Sequence, residues 1–253
     1  MSVPVLMYHH VLPERGFIAS SIKQFESQMR FLAEDGWKTL SSEEFLSFKK
    51  GKYSPPKKSV LITFDDGWRD NYEVAYPILK KYGLKATLFV ITEWVDKASE
   101  VTSGFFPCQH NLAKSKVCES PSSVFCSWDH LELMRDVFDY QSHTHTHRDC
   151  YFSEICWEDE FSLSKQLLKE RLGVEANQIC WPRGEFNAEL VEMLPNYGFD
   201  LHHTTMRGAN KFSDFEIAVK RIAVKNDEKW LKKTLSIFSN DLLAMTYGLI
   251  KSR

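Results

Sequence analysis

The stretch "SVLITFDDG", residues 59–67, joins an apolar run to two adjacent carboxylates and a glycine. Its aliphatic and β-branched residues are typical of a strand that is buried on both faces. An amphipathic helix is predicted directly after it in "NYEVAYPILKKYG", which ends at Gly83, and "LKATLFVIT" forms a second β-type run. Strand, helix and strand in this order predict a βαβ unit with parallel strands.

The same alternation continues along most of the chain. Further strands are predicted in "VPVLMYHH", "KTL", "FDYQSHTHTH", "QICWP" and "FDLHHTT", with helical patterns between them. Repeated alternation in a chain of 253 residues favours an α/β fold, with a mostly parallel sheet curled into a barrel. We expect a single domain over residues 1–253, which ends in a helical tail at residues 226–253.

Residues 94–126 interrupt the alternation, because they are polar and poor in periodicity. A long loop inside a compact domain is more often functional than incidental, so we expect an insertion that covers the substrate as a lid. Four potential ligands in it leave a structural zinc site open, although no close Cys-x-x-Cys pair occurs: Cys108, His110, Cys118 and Cys126.

Composition and charge exclude several classes of protein. The 32 basic and 34 acidic residues leave a formal net charge of -2, so no overall field favours nucleic acid as a partner. Six cysteines in a chain of this length are too sparse for a disulfide framework, and we expect reduced thiols. A secretory leader and a long apolar run are both missing from the sequence pattern, and we therefore expect a soluble, cytoplasmic protein.

The paired acids Asp65 and Asp66 follow a predicted strand at its C-terminal end, where barrel enzymes hold their active sites. Adjacent residues of an extended chain point to opposite sides, so both acids reach one site only if the strand ends there. Gly67 would permit that bend. The alternative is an ordinary Asp-Asp-Gly turn before a helix that is capped near Asp70.

A second cluster, "SHTHTH", holds His143, His145 and His147. Histidines two apart share a strand face and histidines four apart share a helix face, so either conformation offers two imidazoles to one metal ion. Two imidazoles and one carboxylate make the three-ligand divalent site that catalytic zinc enzymes use. A histidine-rich surface turn is the alternative.

"TFDDG", "SHTHTH" and "CWPRGEFN", in that order, resemble the three leading motifs of the polysaccharide deacetylases, carbohydrate esterase family four. The resemblance extends over residues 3–225. It implies a distorted (β/α) barrel with fewer than eight strands, and we expect seven. It also implies removal of N-acetyl groups from N-acetylglucosamine-containing glycans with a divalent metal, zinc in the first place and cobalt or nickel as alternatives.

By position, the resemblance makes Asp65 the catalytic base and assigns the metal to Asp66, His143 and His147. His145 then lies between ligands, and we interpret it as a rim histidine. One carboxylate holds the metal while its neighbour accepts a proton from water.

The family's usual proton donor, a histidine in a C-terminal Leu-x-His motif, is missing from "LLAMTYGLI". A permuted branch, which includes the deacetylases of β-1,6-linked poly-N-acetylglucosamine, carries this element at the N-terminus. "VLMYHH" resembles it, so His9 is the candidate acid and His10 is interpreted as structural.

The third motif departs from the family pattern, because the arginine that orients the base is missing from "CWPRG". In the permuted branch a later arginine replaces it, and "VKRIAV" offers Arg221 as a partner of Asp65. The backbone N–H of Arg183 lies where the family forms an oxyanion hole. Its guanidinium either binds a phosphate or carboxylate on a charged glycan or is a plain surface group.

Residue type indicates the surroundings of the remaining cysteines and several tryptophans. We expect the cysteines to be small buried groups: Cys150, Cys156 and Cys180. The tryptophans either stack on sugars or lie in the core: Trp94, Trp128 and Trp181.

These observations predict a glycan N-deacetylase. With no leader recognised, we expect a substrate on the cytoplasmic side, such as a lipopolysaccharide core or another lipid-linked saccharide. Basic residues outnumber acidic ones from residue 207 onward, which indicates either contact with a membrane surface or a solvated packing helix. The alternatives are an exported poly-N-acetylglucosamine deacetylase and a catalytically silent glycan-binding relative.

Overall fold

The computed structural model describes residues 1–213 and 216–244. Apolar β-branched runs form the longer strands, as their composition predicts. The strands in these residues are β1 (Ser2–Val3), β2 (Val5–Tyr8), β3 (His10–Leu12), β4 (Ala19–Ser21), β5 (Lys38–Thr39), β6 (Ser59–Phe64), β7 (Ala86–Val90), β8 (Phe138–Ser142), β9 (Gln178–Cys180), β10 (Leu201–His203), β11 (Asn210–Lys211), β12 (Ala218–Val219) and β13 (Ile222–Ala223).

Helices connect most of these strands, and serine caps begin several of them: Ser21, Ser41 and Ser127 each accept a hydrogen bond from the first helical turn. The α-helices are α1 (Ile22–Glu34), α2 (Ser42–Lys49), α3 (Tyr76–Lys81), α4 (Thr92–Glu100), α5 (His110–Glu119), α6 (Pro121–Val124), α7 (Trp128–Leu133), α8 (Trp157–Leu172), α9 (Ala188–Met193) and α10 (Glu228–Phe238). A π-helical turn, Asn71–Ala75, precedes α3.

The central sheet follows the order β12-β10-β9-β8-β7-β6-β2-β13, and every neighbouring pair in it is parallel. β5 pairs with the first residues of β6 beside this path. Because the strands are parallel, their C-terminal ends lie at one rim of the sheet. The predicted α/β barrel fold is confirmed.

The two ends of the sheet are close together along the chain. β12 and β13 lie at opposite ends of the strand order, yet only Lys220 and Arg221 separate them. Two linking residues span roughly 10 Å at most, so this crossing brings the sheet edges together, as a barrel requires. The crossing also carries Arg221 to the rim.

The predicted count of seven strands is wrong, because the path contains eight. The seven predicted strands include β5, which pairs beside the path, and the two strands of the path that the prediction lacks are β12 and β13, which have two residues each. Two residues are too few to show a period in the sequence.

Residues 94–126 do not form an irregular loop, in contrast to the prediction. They contain most of α4 and all of α5 and α6. Trp94, Val117 and Phe125 are fully or almost fully buried in the main core. These helices are short and largely polar, and packing against the core rather than sequence periodicity explains their presence.

The tail is helical in the part that the structure describes. α10 buries Leu231, Leu235 and Phe238 and contacts α1. Residues 245–253, the end of the predicted tail, lie outside the described residues. No helix in residues 1–213 or 216–244 is both long and apolar enough to cross a membrane.

Candidate active site

The turn after β6 aims both acids of the Asp-Asp pair into one site. Asp65 still donates its backbone N–H to Tyr8 O at 3.0 Å, as a strand residue would. The chain turns at Asp66, which has a φ of 79°, and continues through Gly67 at 105°. A non-glycine residue in the left-handed region is strained, and such strain is found most often at functional sites. Both carboxylates are buried.

The segment after β8 brings two histidines to Asp66. Asp66 Oδ1 lies 3.2 Å from His143 Nε2 and 3.6 Å from His147 Nε2. The loop between them turns at Thr144, whose φ is 66°. His145 lies elsewhere, with its Nδ1 at 2.9 Å from Thr92 Oγ1.

The group formed by Asp66, His143 and His147 fits a divalent metal ion. One ligand atom from each lies within 4.8 Å of the others. The opposite ring nitrogens are held, since His143 Nδ1 lies 2.8 Å from Cys180 O and His147 Nδ1 lies 2.7 Å from Asp149 Oδ2. These partners favour Nδ1–H tautomers, which direct each Nε2 lone pair toward the shared centre.

A second set of potential ligands, Asp65, His143 and Cys180, also lies within 4.8 Å. It fits a metal less well, because both oxygens of Asp65 are already bound by the guanidinium of Arg221. Burial raises the pKa of the Cys180 thiol, whereas a metal binds the thiolate. The Asp66 group is therefore the better metal site.

Arg221 and Asp65 form a buried, bidentate ion pair. Arg221 Nη1 lies 2.6 Å from Asp65 Oδ1 and Nη2 lies 2.8 Å from Oδ2. Arg221 Nε also donates to Thr204 O at 2.9 Å. Burial would raise the pKa of the Asp65 carboxyl, but the charge of Arg221 and the nearby His9 outweigh burial and lower it to about 2. Asp65 is thus held ionised and in one orientation.

The two N-terminal histidines have different surroundings. His9 Nε2 lies 3.6 Å from Asp65 Oδ2, and its side chain is 18% exposed toward the site. His10 is buried, and its Nδ1 lies 2.7 Å from Asp70 Oδ2. Burial lowers the pKa of His9, against the opposing charge of Asp65.

His9, the Asp65–Arg221 pair and the Asp66 group line a cavity of about 430 Å³ at the C-terminal rim of the sheet. Its walls come from strand ends, from the N-terminal segment and from the insertion: Met7, His9, Phe17, Ile18, Asp65, Asp66, His110, Lys114, His143, His147, Trp181, Arg183, Gly184, Thr205 and Arg221. The size suits a small organic group or one sugar unit of a larger ligand.

Comparison with known proteins assigns the chain to a family. The profile of the polysaccharide deacetylase family matches residues 52–202, more than half of the chain. The chain belongs to the polysaccharide deacetylase family. The matched region contains Asp65 and the Asp66 group, whereas His9 and Arg221 lie outside it.

Individual relatives agree with this assignment. The poly-beta-1,6-N-acetyl-D-glucosamine N-deacetylase of Staphylococcus aureus strain MRSA252 is 53% identical over 196 residues, which cover 72% of this chain. The chain spans only 60% of that relative's length. The Streptococcus pyogenes deacetylase PplD, solved in complex with acetate, has a TM-score of 0.77 at 25% identity and covers 93% of this chain and 98% of its own. IcaB from Ammonifex degensii shares the fold, with a TM-score of 0.71 at 23% identity over 94% and 97% of the two chains.

Arg183 of the third motif does not have a free guanidinium. Its Nη2 forms an ion pair with Asp149 Oδ1, which Lys114 also approaches at 3.2 Å. Asp149, two residues after His147, therefore supplies a carboxylate partner that the motif did not indicate, and the Arg183 guanidinium is a partly exposed, ion-paired group.

Two further residues hold the site, and the sequence did not reveal them. Trp68 Nε1 donates to Asp66 Oδ2 at 2.6 Å, which leaves Oδ1 facing the histidines. Glu160 of α8 accepts from the backbone N–H groups of His145 and Thr146 at 2.7 and 2.8 Å. Trp68 is only two residues from Asp66, so its closeness in sequence was the one feature that could have indicated its role. No feature of the sequence indicated the role of Glu160.

The cysteines and tryptophans correct several expectations. Cys150 and Cys156 are exposed, so their predicted burial is wrong, while Cys180 is buried. Within the described residues, the potential metal groups do not include the cysteines of the insertion. The tryptophans belong to the hydrophobic core, and each is at most 7% exposed: Trp94, Trp128 and Trp181. Trp181 is the one of them that also lines the cavity.

Proposed function

We propose that this protein is a metal-dependent N-deacetylase, which hydrolyses the acetamide of an N-acetylglucosamine unit in a glycan to acetate and a free amine. The main observation behind this proposal is that a potential metal site and a separate carboxylate line one cavity. A potential metal site of one carboxylate and two imidazoles lies beside a separate carboxylate that Arg221 holds ionised. Of these adjacent residues, Asp66 would bind the metal and Asp65 would accept a proton.

Asp66, His143 and His147 would hold a divalent cation. This donor set suits zinc, with cobalt or nickel as alternatives. Such a cation supplies Lewis acidity, which polarises an amide carbonyl and lowers the pKa of water. The hydrogen bonds that the two rings donate to Cys180 O and Asp149 Oδ2 would orient them toward the ion.

We expect Asp65 to accept a proton from the attacking water, and His9 to donate one to the departing amine nitrogen. The separation of 3.6 Å between His9 Nε2 and Asp65 Oδ2 puts both on one small reaction centre. Arg221 fixes the orientation of Asp65. The backbone N–H of Arg183 is our candidate for stabilising negative charge on the carbonyl oxygen.

For the acceptor, similarity to the poly-beta-1,6-N-acetyl-D-glucosamine N-deacetylase of Staphylococcus aureus, at 53% identity, favours β-1,6-linked poly-N-acetylglucosamine. A lipid-linked saccharide, such as a lipopolysaccharide core, is the second acceptor that we propose. An anionic lipid surface next to such a saccharide would suit the basic side chains of α10, which are Lys229, Lys232 and Lys233.

The test is acetate release from both acceptors by protein that has been stripped with a chelator and reloaded with zinc, cobalt or nickel. We expect release to require the metal and to be faster with β-1,6-linked oligomers. Release that survives complete chelation would contradict the metal dependence. Tight glycan binding without acetate release under any metal would instead support a silent glycan-binding relative.

Trp68 gives a prediction about metal affinity that does not depend on turnover. Replacing it by Phe removes the indole N–H that donates to Asp66 Oδ2, and loss of a hydrogen bond that orients a metal ligand costs about 10- to 100-fold in metal affinity. Titration with Co²⁺, followed by its visible absorption, measures the effect.

Trp94→Phe is the matched control. Trp94 is also buried and its ring lies 5.6 Å from that of His147, but its Nε1 has no hydrogen-bond partner within residues 1–213 and 216–244. We expect this control to change cobalt affinity by less than about threefold. Equal losses in both variants would show that packing, not the hydrogen bond, holds the ligand.

A further inference from the structure

Phe17 places an apolar ring in water at the mouth of the candidate active site. Its side chain is 72% exposed, and it lines the same cavity as Asp66 and the metal histidines. Exposed apolar residues are common on protein surfaces, so exposure alone indicates nothing. The location of an exposed Phe17 ring beside the reaction centre is the feature that calls for an explanation.

The backbone holds Phe17 in this position. Ile18, the next residue, has a φ of 47°, and a β-branched residue in the left-handed region is a steric outlier. His10 N donates to Ile18 O at 3.3 Å, and Gly16 and Ala19 exchange backbone hydrogen bonds of 3.2 and 3.4 Å. Strain of this kind persists where the surrounding structure imposes it, which occurs most often at ligand sites.

The insertion supports the same loop from the other side. Gln109 lies directly over Gly16, where a Cβ would meet its side chain, and Gln109 Nε2 donates to Glu14 O at 3.2 Å. The ring of His110 lies 5.9 Å from that of Phe17. Two segments that are distant in sequence thus build one aromatic wall of the cavity.

A pyranose ring suits this wall. Its C–H bonds can lie on the negative face of an aromatic ring while its hydroxyl groups stay in water at the open side. We infer that Phe17 forms a subsite for a sugar ring next to the N-acetylated unit of a glycan chain. This inference rests on the proposed deacetylase function.

Binding of pentasaccharides tests the subsite independently of turnover. In an Asp65→Asn background, calorimetry gives the Kd of β-1,6-linked and β-1,4-linked N-acetylglucosamine pentamers. We expect Phe17→Ala to weaken binding of at least one pentamer about tenfold, which corresponds to loss of roughly one buried aromatic face. Phe17→Trp should retain the affinity.

Phe212→Ala is the control, since this phenylalanine is 42% exposed but does not line the cavity. A Kd within twofold of the background for Phe17→Ala, an equal loss for Phe212→Ala, or no binding of either pentamer would overturn the subsite. When Phe17→Ala is the only substitution, we expect KM for the pentamer to rise while kcat stays unchanged. Binding that depends on Phe17 without acetate release from the parent would refute the deacetylase function and leave the subsite standing.

Discussion

Asp65→Asn is expected to lower kcat for acetate release about 10³-fold, while zinc and cobalt affinity stay within about threefold. The amide keeps the shape of the side chain but cannot accept a proton from water. The proposed ligands are different residues, Asp66, His143 and His147, and they remain in place. Steady-state kinetics on a pentasaccharide and a cobalt titration measure the two quantities separately. A loss of activity that follows a loss of metal would contradict the division between the two acids.

Asp139→Asn is a matched control for this prediction. Asp139 lies in β8 of the same sheet and accepts a hydrogen bond from Ser42 N at 2.9 Å, but it does not line the cavity. We expect it to cost stability without a comparable loss of kcat. Because Asp65→Asn also leaves Arg221 without its counterion, both variants should be assayed well below their unfolding temperatures.

Much of the fold could be predicted from sequence, because its long strands are buried on both faces. β6 and β7 are buried at every position and are mostly apolar, and their polar residues, Ser59, Thr63 and Thr87, are buried as well. The two-residue strands β12 and β13 carry no such pattern, since their pairing depends on the rest of the sheet. The helices of residues 94–126 were missed for a related reason: tertiary packing stabilises them more than local propensity.

The candidate site could be approached from sequence only in part. The resemblance of the motifs to a known family assigned Asp66, His143 and His147 to one metal, whereas spacing alone left open which two histidines would take part. The structure brings the three together, because parallel strands share a rim. Other parts of the site depend on contacts across the fold: Glu160 of α8 accepts a hydrogen bond from the histidine loop, and the ring of Phe17 lies beside His110 of the insertion. Exposure of Cys150 and Cys156 shows the limit of arguing burial from residue type.

Arg221→Met is expected to lower the free energy of unfolding by about 3–5 kcal/mol, because it leaves the buried carboxylate of Asp65 without its counterion. Urea denaturation, with the m-value compared between variants, measures the change. Arg221→Lys is the control that keeps a positive charge but loses the two-point geometry, and it should fall between the parent and Arg221→Met. Wild-type stability in Arg221→Met would contradict a buried ion pair in solution.

The double variant Asp65→Asn with Arg221→Met separates stability from chemistry. Removing the second charge relieves the burial of an unpaired carboxylate, so the double variant should recover at least about half of the stability that Arg221→Met loses. Its activity should not recover, because the proton acceptor is missing. Additive destabilisation would show that the two side chains do not interact. Recovery of stability without activity would mean that the barrel can fold without the ion pair, whereas the reaction does not proceed without the carboxylate of Asp65.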